Sequence, residues 1–127
     1  MGKGIITGLA HIGVFVKDMD ASIDYYKRLG FALDAEENPG VRLAFLSAGS
    51  CLIELIEQKN YTARAAGPID HVAVAVDDIE LAIANAKANG IEFGDAKIND
   101  SPILGGIRNI FFAGPDGERL EYFEYKK

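Results

Sequence analysis

Two stretches of the chain, "HIGVFVKDMDASIDYYKRLGF" at residues 11–31 and "HVAVAVDDIELAIANAKANGI" at residues 71–91, align with each other without a gap. Seven of the 21 aligned positions are identical, among them the histidine that opens each stretch. The similarity continues downstream, where "LIELIE" aligns with "RLEYFE" and Glu54 is paired with Glu121. A repeat of about sixty residues is longer than a solenoid unit, so the sequence predicts two copies of one folding module.

Each copy has the pattern of one strand, one helix and three further strands. The Val- and Ile-rich segments 9–16 and 69–76 alternate as strands do, and Asp residues suited to capping a helix follow each of them. Helices are predicted at about 20–29 and 79–89, each followed by a glycine that favours a left-handed cap. The remaining strands are predicted at 31–35, 41–47, 51–58, 91–95, 107–113 and 118–125. The expected fold class is α+β, with two tandem βαβββ modules that form a curled mixed sheet around a cleft.

The length of 127 residues fits a single domain. The first module is expected at about 5–58, a connector at about 59–68 and the second module at about 69–127. The segment 96–106 is the main difference between the copies, and its length and glycine content make it a candidate lid.

Composition and charge narrow the classes of partner. The net charge of -6 and the pI near 4.8, without a basic cluster beyond the terminal Lys126 and Lys127, argue against a nucleic acid or an anionic membrane. A small molecule is therefore the favoured partner. The single Cys51 excludes an internal disulfide, and no segment has the pattern of a signal peptide or a membrane span, so a cytoplasmic protein is expected.

Glu54 stands between Ile53 and Leu55 in the apolar run "CLIELIEQ". An ionised carboxylate among apolar neighbours is costly to desolvate unless a partner offsets its charge. Strand alternation places His11 and His71 on the face of each first strand that points away from the helix. If the last strand of each module pairs beside the first, one His and one Glu line the same concave surface in each copy.

Two modules related by approximate twofold symmetry would bring His11, Glu54, His71 and Glu121 together as a metal site. Imidazole nitrogens and carboxylate oxygens suit divalent Ni, Co, Zn, Mn or Fe, and four such ligands leave two positions of an octahedral shell for water or substrate. Two plainer interpretations stay open. The four residues could be half-exposed histidines and solvated carboxylates, or shared ancestry alone could have placed them at matching positions.

Other matched residues receive structural interpretations. Arg42 aligns with Arg108, and pairing of each with neighbouring side chains is favoured over a role in binding an anionic substrate. Glu57 and Glu124 are interpreted as solvated carboxylates. The two adjacent tyrosines of the first helix are interpreted as core residues.

Four segments together resemble the vicinal oxygen chelate superfamily, which has the glyoxalase and bleomycin resistance fold, over almost the whole chain. They are "HIGVFVKDMDASIDYYKRLGF", "CLIELIE", "IDHVAVAVDDIELAIANAKANGIEF" and "GPDGERLEYFE". The resemblance implies a divalent metal in the cleft and a homodimer in which edge contacts or exchanged modules complete the sites. His11, Glu54, His71 and Glu121 fall on the four ligand positions of the branch that includes glyoxalase I and methylmalonyl-CoA epimerase.

The resemblance further implies a metal-dependent proton transfer. A substrate with two neighbouring oxygens displaces water from the metal, which stabilises the enolate or enediolate that forms as a proton leaves carbon. Glu54 or Glu121 would shuttle this proton as the catalytic base. The favoured activity is that of a glyoxalase I-like lyase, in the lactoylglutathione lyase family, which isomerises a 2-oxoaldehyde thiol adduct.

Other activities are weighed against this prediction. Phe15 stands where bacterial glyoxalases of this type tend to carry a basic residue that helps to hold glutathione, and "VRLAFLSAGSCLIELIE" resembles methylmalonyl-CoA epimerases, whose substrate is an acyl-CoA. Metal-free bleomycin resistance-like proteins, which sequester a drug, are expected to lack the full ligand set. Fosfomycin-modifying transferases and extradiol dioxygenases generally use two His and one Glu, so the fourth ligand disfavours both.

Overall fold

The computed structural model describes residues 10–60 and 71–126. The first residues predicted for each module and most of the predicted connector lie outside the described residues. The described elements follow the order of strand, helix and three strands twice over, which confirms the α+β class and the tandem βαβββ arrangement. The elements are β1 (Ile12–Val16), α1 (Met19–Leu29), β2 (Ala32–Glu37), β3 (Leu43–Ala48), β4 (Cys51–Glu57), β5 (Val72–Ala75), α2 (Ile79–Ala88), β6 (Asn99–Ser101), β7 (Ile107–Ala113) and β8 (Arg119–Tyr125).

Both helices begin after an aspartate, as predicted. The Asp18 carboxylate accepts a hydrogen bond from the Ala21 amide at 3.1 Å, and Asp78 accepts one from the Leu81 amide at 3.0 Å. Such side-chain caps satisfy amides that have no partner within the first turn of a helix. After α1 the chain turns at Gly30, whose φ of 123° is rarely adopted by a residue with a side chain.

Each module builds its own four-stranded mixed sheet. The strand order is β1-β4-β3-β2 in the first sheet and β5-β8-β7-β6 in the second. The first and last strands of each module run parallel, with Gly13 opposite Glu54 and Ala73 opposite Glu121. The other neighbouring strands are antiparallel. The parallel pairing confirms the arrangement that places one His and one Glu of each module on a common face.

The strand predicted at 91–95 is wrong. Ile91 and Phe93 are buried in alternation, as in a strand, but their backbone pairs with none of the described strands and turns at Gly94, whose φ is 56°. The edge of the second sheet is formed instead by β6, which lies inside the segment 96–106 that was predicted as a candidate lid. The alternation that predicted a strand comes from side chains that are buried in the core, and not from backbone pairing with a neighbouring strand.

The apolar residues of both modules join in one buried cluster. This cluster takes in one side of each helix and the sheet faces that the helices cover, including Leu46, Leu55, Ile110 and Leu120. The hydrophobic effect favours this arrangement, because each sheet buries one apolar face. The opposite face of each sheet lies outside the shared core.

Two tyrosines of α1 connect the first module to the second, and both are buried as predicted. The Tyr25 hydroxyl donates a hydrogen bond to the Ala113 carbonyl at 3.0 Å, and the Tyr26 hydroxyl donates one to the Glu118 carboxylate at 2.8 Å. Burial raises the pKa of both phenols, and the negative charge of Glu118 raises it further. The modules therefore meet on the helix-covered side of the sheets.

Candidate metal centre

The first module places His11 just before β1 and Glu54 in the middle of β4, on the face of the sheet that α1 does not cover. The His11 Nε2 atom lies 3.1 Å from the Glu54 Oε1 atom, so the imidazole is a partner for the carboxylate in the apolar run. Gly13 lies opposite Glu54, and a Cβ built at Gly13 would make only an ordinary contact with Glu54 Oε1, at 4.0 Å. The Phe45 ring packs edge-on against the imidazole, with 6.5 Å between the ring centroids.

The second module repeats this arrangement. The His71 Nε2 atom lies 3.0 Å from the Glu121 Oε1 atom, and the Phe111 ring packs edge-on against the imidazole with 5.3 Å between centroids. Here the carboxylate has a further partner, because the Asn109 side chain donates a hydrogen bond from Nδ2 to Glu121 Oε2 at 2.6 Å. The structure thus brings the residues predicted as ligands together in two matched pairs.

The spacing within each pair suits two ligands of one cation. Metal–nitrogen and metal–oxygen bonds of about 2.0–2.2 Å at a right angle put two donor atoms about 3 Å apart, and the observed separations are 3.1 and 3.0 Å. The same separation also suits a hydrogen bond between imidazole and carboxylate. Each pair offers one nitrogen and one oxygen donor, so the chemistry of the residues fits the divalent metal that the sequence predicts.

The two pairs do not meet within one chain. Among residues 10–60 and 71–126, which include every predicted ligand, no group of three or more His, Cys, Asp and Glu residues could hold a metal ion. The shared core contains the sheet faces that the helices cover, and none of the four predicted ligands belongs to it. The described chain therefore carries two separate His–Glu pairs, which we call the first half-site (His11 and Glu54) and the second half-site (His71 and Glu121).

Arg42 and Arg108 lie on the helix-covered side of their sheets and form ion pairs. The Arg42 guanidinium bonds to Asp20 at 2.7 Å and to Glu36 at 3.1 Å, and its hydrogen bond lowers the pKa of the Asp20 carboxyl. Arg108 pairs with Glu80 at 3.0 Å. The prediction that these matched arginines pair with neighbouring side chains is confirmed.

Glu124 is not the solvated carboxylate that the sequence predicts. Its side chain is only 14% exposed, lies 3.7 Å from the Arg108 guanidinium, and accepts a hydrogen bond from the Ile79 amide at 2.8 Å. Because Ile79 is the first residue of α2, this carboxylate satisfies an amide at the positive end of the helix. Glu124 therefore has a structural role on the face opposite to the second half-site.

The second half-site has polar neighbours where the first has apolar ones. Asn109 aligns with Leu43, and Arg119, whose guanidinium lies 4.0 Å from the centroid of the Phe111 ring, aligns with Leu52. Neither polar residue could be found from identities between the two modules, because each aligns with a leucine. The signal that could have found them is the opposite one, a polar residue in one module at a position that is apolar in the other.

The sequence profile of the Glyoxalase/Bleomycin resistance protein/Dioxygenase superfamily matches residues 8–122. The chain belongs to this superfamily. A relative from Bacillus subtilis (strain 168), the uncharacterized protein YwbC, is 34% identical over an alignment of 121 residues, and the match covers 90% of this chain and 94% of the relative.

Several proteins of known structure share the fold of this chain. The glyoxalase family protein from Enterococcus faecalis has a TM-score of 0.76 and 26% identity, over 93% of this chain and 98% of that chain. The fosfomycin resistance protein FosX from Listeria monocytogenes has a TM-score of 0.75 at 20% identity, over 96% and 94% of the two chains, and shows the fold alone. Members of the superfamily are often enzymes and commonly use divalent metals. In the described part of the chain, neither helix has the length and apolar character to cross a membrane.

Proposed function

We propose that this superfamily member is a metal-dependent, glyoxalase I-like lyase that isomerises a 2-oxoaldehyde thiol adduct by moving a proton between neighbouring carbons. The observation that carries the proposal is the matched pair of half-sites. His11 with Glu54, and His71 with Glu121, hold their donor atoms 3.1 and 3.0 Å apart on the sheet faces that the helices do not cover. Two imidazoles and two carboxylates make a donor set for Ni, Co, Zn, Mn or Fe.

The proposed site is completed between two chains of a homodimer. Its support is the separation of the half-sites, which lie outside the shared core and do not gather within one chain. A dimer with twofold symmetry would join the first half-site of each chain to the second half-site of its partner, and would contain two equal sites.

The residues of the site have distinct roles in the proposed reaction. A bound divalent cation would supply a Lewis acid that polarises the two neighbouring oxygens of the substrate. His11 and His71 contribute donor nitrogens on rings that are each held by an edge-on Phe contact. A carboxylate, Glu54 or Glu121, takes the proton from the substrate carbon and returns it to the adjacent carbon. Gly13 lies opposite Glu54 in the neighbouring strand.

A second candidate is an epimerase of the methylmalonyl-CoA type. The observation that favours it is Phe15, which is 41% exposed on the face that carries the first half-site. Phe15 lies opposite Ile56, and Ile56 lies opposite Leu43, so this face continues as an apolar surface. An apolar surface suits an acyl group better than it suits the charged groups of glutathione. In this candidate the proton returns to the carbon that it left, but from the opposite side.

Metal binding tests the first part of the proposal. We expect the purified protein to bind one Ni, Co or Zn ion per chain and to unfold at a higher temperature when the ion is bound. Glu54→Gln is expected to weaken binding, whereas Glu57→Gln, on the other face of the same strand, is the matched control and is expected to bind as the wild type does. A wild-type protein that binds no divalent ion would contradict the proposal and favour a drug-sequestering, bleomycin resistance-like protein.

Proton exchange in heavy water tests the second part. The metal-loaded protein is incubated with a methylglyoxal–thiol adduct or with methylmalonyl-CoA, and deuterium incorporation at carbon is followed by NMR. Incorporation from the adduct alone supports the lyase, and incorporation from methylmalonyl-CoA alone supports the epimerase. Incorporation from neither substrate would contradict both activities.

A further inference from the structure

The two carboxylates of the proposed site differ in how firmly they are held. Both oxygens of Glu121 have a partner, with His71 Nε2 at 3.0 Å from Oε1 and Asn109 Nδ2 at 2.6 Å from Oε2, and the side chain is 4% exposed. Within the described residues, Glu54 has the contact with His11 at 3.1 Å, and its side chain is 18% exposed. A carboxylate with one partner and more open space changes its orientation more readily than one that is buried with two partners.

Asn109 is the source of this difference. It lies opposite Phe123 in β8, so its amide reaches the Glu121 carboxylate diagonally from the neighbouring strand β7. The aligned residue in the first module is Leu43, whose side chain has no donor to offer Glu54. Leucine at this position therefore cannot give the first carboxylate the hydrogen bond that Asn109 gives the second.

The Asn109 amide is bonded through its nitrogen and not through its oxygen among the described residues. Its Oδ1 atom is buried and has no hydrogen-bond partner among the described residues. A buried amide oxygen without a partner is unfavourable. The described interaction that offsets this cost is the short hydrogen bond from Nδ2 to Glu121.

We propose that Asn109 is a positioning residue that fixes Glu121 as the permanent carboxylate ligand, and that Glu54 is the carboxylate that moves during the reaction. This assignment rests on the proposed function. In the reaction the substrate C–H bond breaks, its electron pair stays on the substrate, and the proton forms a bond to a Glu54 carboxylate oxygen. Glu54 then gives the proton back to a substrate carbon, so the protein is unchanged after one turnover.

Exchanging the two aligned residues tests the positioning role by metal affinity, which does not depend on turnover. Asn109→Leu gives the second half-site the apolar residue of the first, and competition with a coloured chelator should show affinity for Ni or Zn about 10–100-fold weaker than in the wild type. Asn99→Leu makes the same change in the adjacent strand, at the position opposite Asn109, and serves as the matched control with unchanged affinity. Asn109→Ser, which removes the donor with a smaller side chain, is expected to weaken affinity similarly and keeps the test valid if the leucine variant does not fold.

The reverse change should act on proton transfer instead. Leu43→Asn places an amide beside Glu54, and we expect metal affinity to stay at the wild-type value while deuterium exchange slows about 10-fold, a part of the roughly 10²–10⁴-fold that a general base contributes. Glu54→Gln is expected to abolish exchange while retaining more metal affinity than Glu121→Gln. Substitutions of Asn109 should thus lower metal affinity, whereas Leu43→Asn should slow exchange at wild-type affinity. A merely structural role for Asn109 does not separate the two quantities in this way.

The outcomes separate this inference from the proposed function. A wild-type protein that binds no metal, or that exchanges no proton, would refute the proposed function. If the wild-type protein does both, the inference is overturned by wild-type metal affinity in Asn109→Leu and Asn109→Ser. It is also overturned if metal-loaded Glu121→Gln loses exchange while Glu54→Gln keeps it.

Discussion

The first half-site is open and bordered by apolar residues, whereas the second is closed and bordered by polar ones. Glu54 lies near the exposed Phe15, while Glu121 is buried between His71 and Asn109. Both modules have the same order of elements and nearly the same separation of His and Glu, so single residues and not the fold create the difference. A duplicated module can therefore keep its donor geometry while the surroundings of each donor diverge.

Removal of a histidine is expected to have the largest effect, and the effect should be similar in the two half-sites. His11→Ala and His71→Ala each take away one donor nitrogen, so we expect the metal affinity to fall by at least about 100-fold. Isothermal titration calorimetry with Ni or Zn measures this loss. If one substitution left the affinity unchanged, the half-site that contains it would not bind the metal.

The next largest effect tests the difference between the two helices. Tyr26 is fully buried in α1, and the aligned residue of α2 is Ala86, so Tyr26→Ala makes the first helix resemble the second. We expect the free energy of unfolding in urea to fall by about 3–5 kcal/mol, because a buried aromatic ring is lost from the core. Tyr26→Phe removes only the hydrogen bond to Glu118, and its expected cost is about 2 kcal/mol. Equal losses in the two variants would contradict the larger role assigned to ring burial.

Alkaline pH should weaken the contact between the modules, because Tyr25 and Tyr26 form part of it. Burial raises the pKa of Tyr25 and Tyr26 in the folded protein above the value of 10.0 for an exposed phenol. The folded protein thus holds these protons more tightly than the unfolded chain, so this contribution to stability is complete below pH 10 and is lost as the pH rises above it. Urea unfolding between about pH 9 and pH 11 measures the loss, because this interval brackets the ordinary phenol pKa. Tyr26→Phe should lose less stability over this interval than the wild type, and an equal loss would contradict the assignment.

The smallest effect is expected where the two half-sites differ by one methyl group. Gly13 faces Glu54, and the aligned Ala73 faces Glu121. A Cβ at position 13 would meet Ile56 at 3.4 Å, which is an ordinary contact, so Gly13→Ala should change the free energy of unfolding by less than about 0.5 kcal/mol. Metal affinity should also stay unchanged. A large loss of metal affinity would show that the second half-site is not a valid guide to the first.

Periodicity and the internal repeat predicted the helices, their caps and the faces that carry the site residues, because these features depend on neighbours along one element. The strand expected at 91–95 was wrong, since alternating burial looks the same whether or not the backbone pairs. The bond between Asn109 and Glu121 could not be predicted, because it depends on the register between two strands. The outward placement of both half-sites depends on how the modules pack, which strand periodicity does not encode.

The central claim is that one cation is held by the first half-site of one chain and the second half-site of its partner. The most direct test unfolds His11→Ala and His71→Ala chains together in equal amounts, refolds them and measures high-affinity Ni or Zn sites. In a mixed dimer one site carries both substitutions and the other carries none. Because about half of randomly formed twofold dimers are mixed, about a quarter of the wild-type number of sites should return. A refolded mixture with no more high-affinity sites than the two variants have separately would contradict the claim.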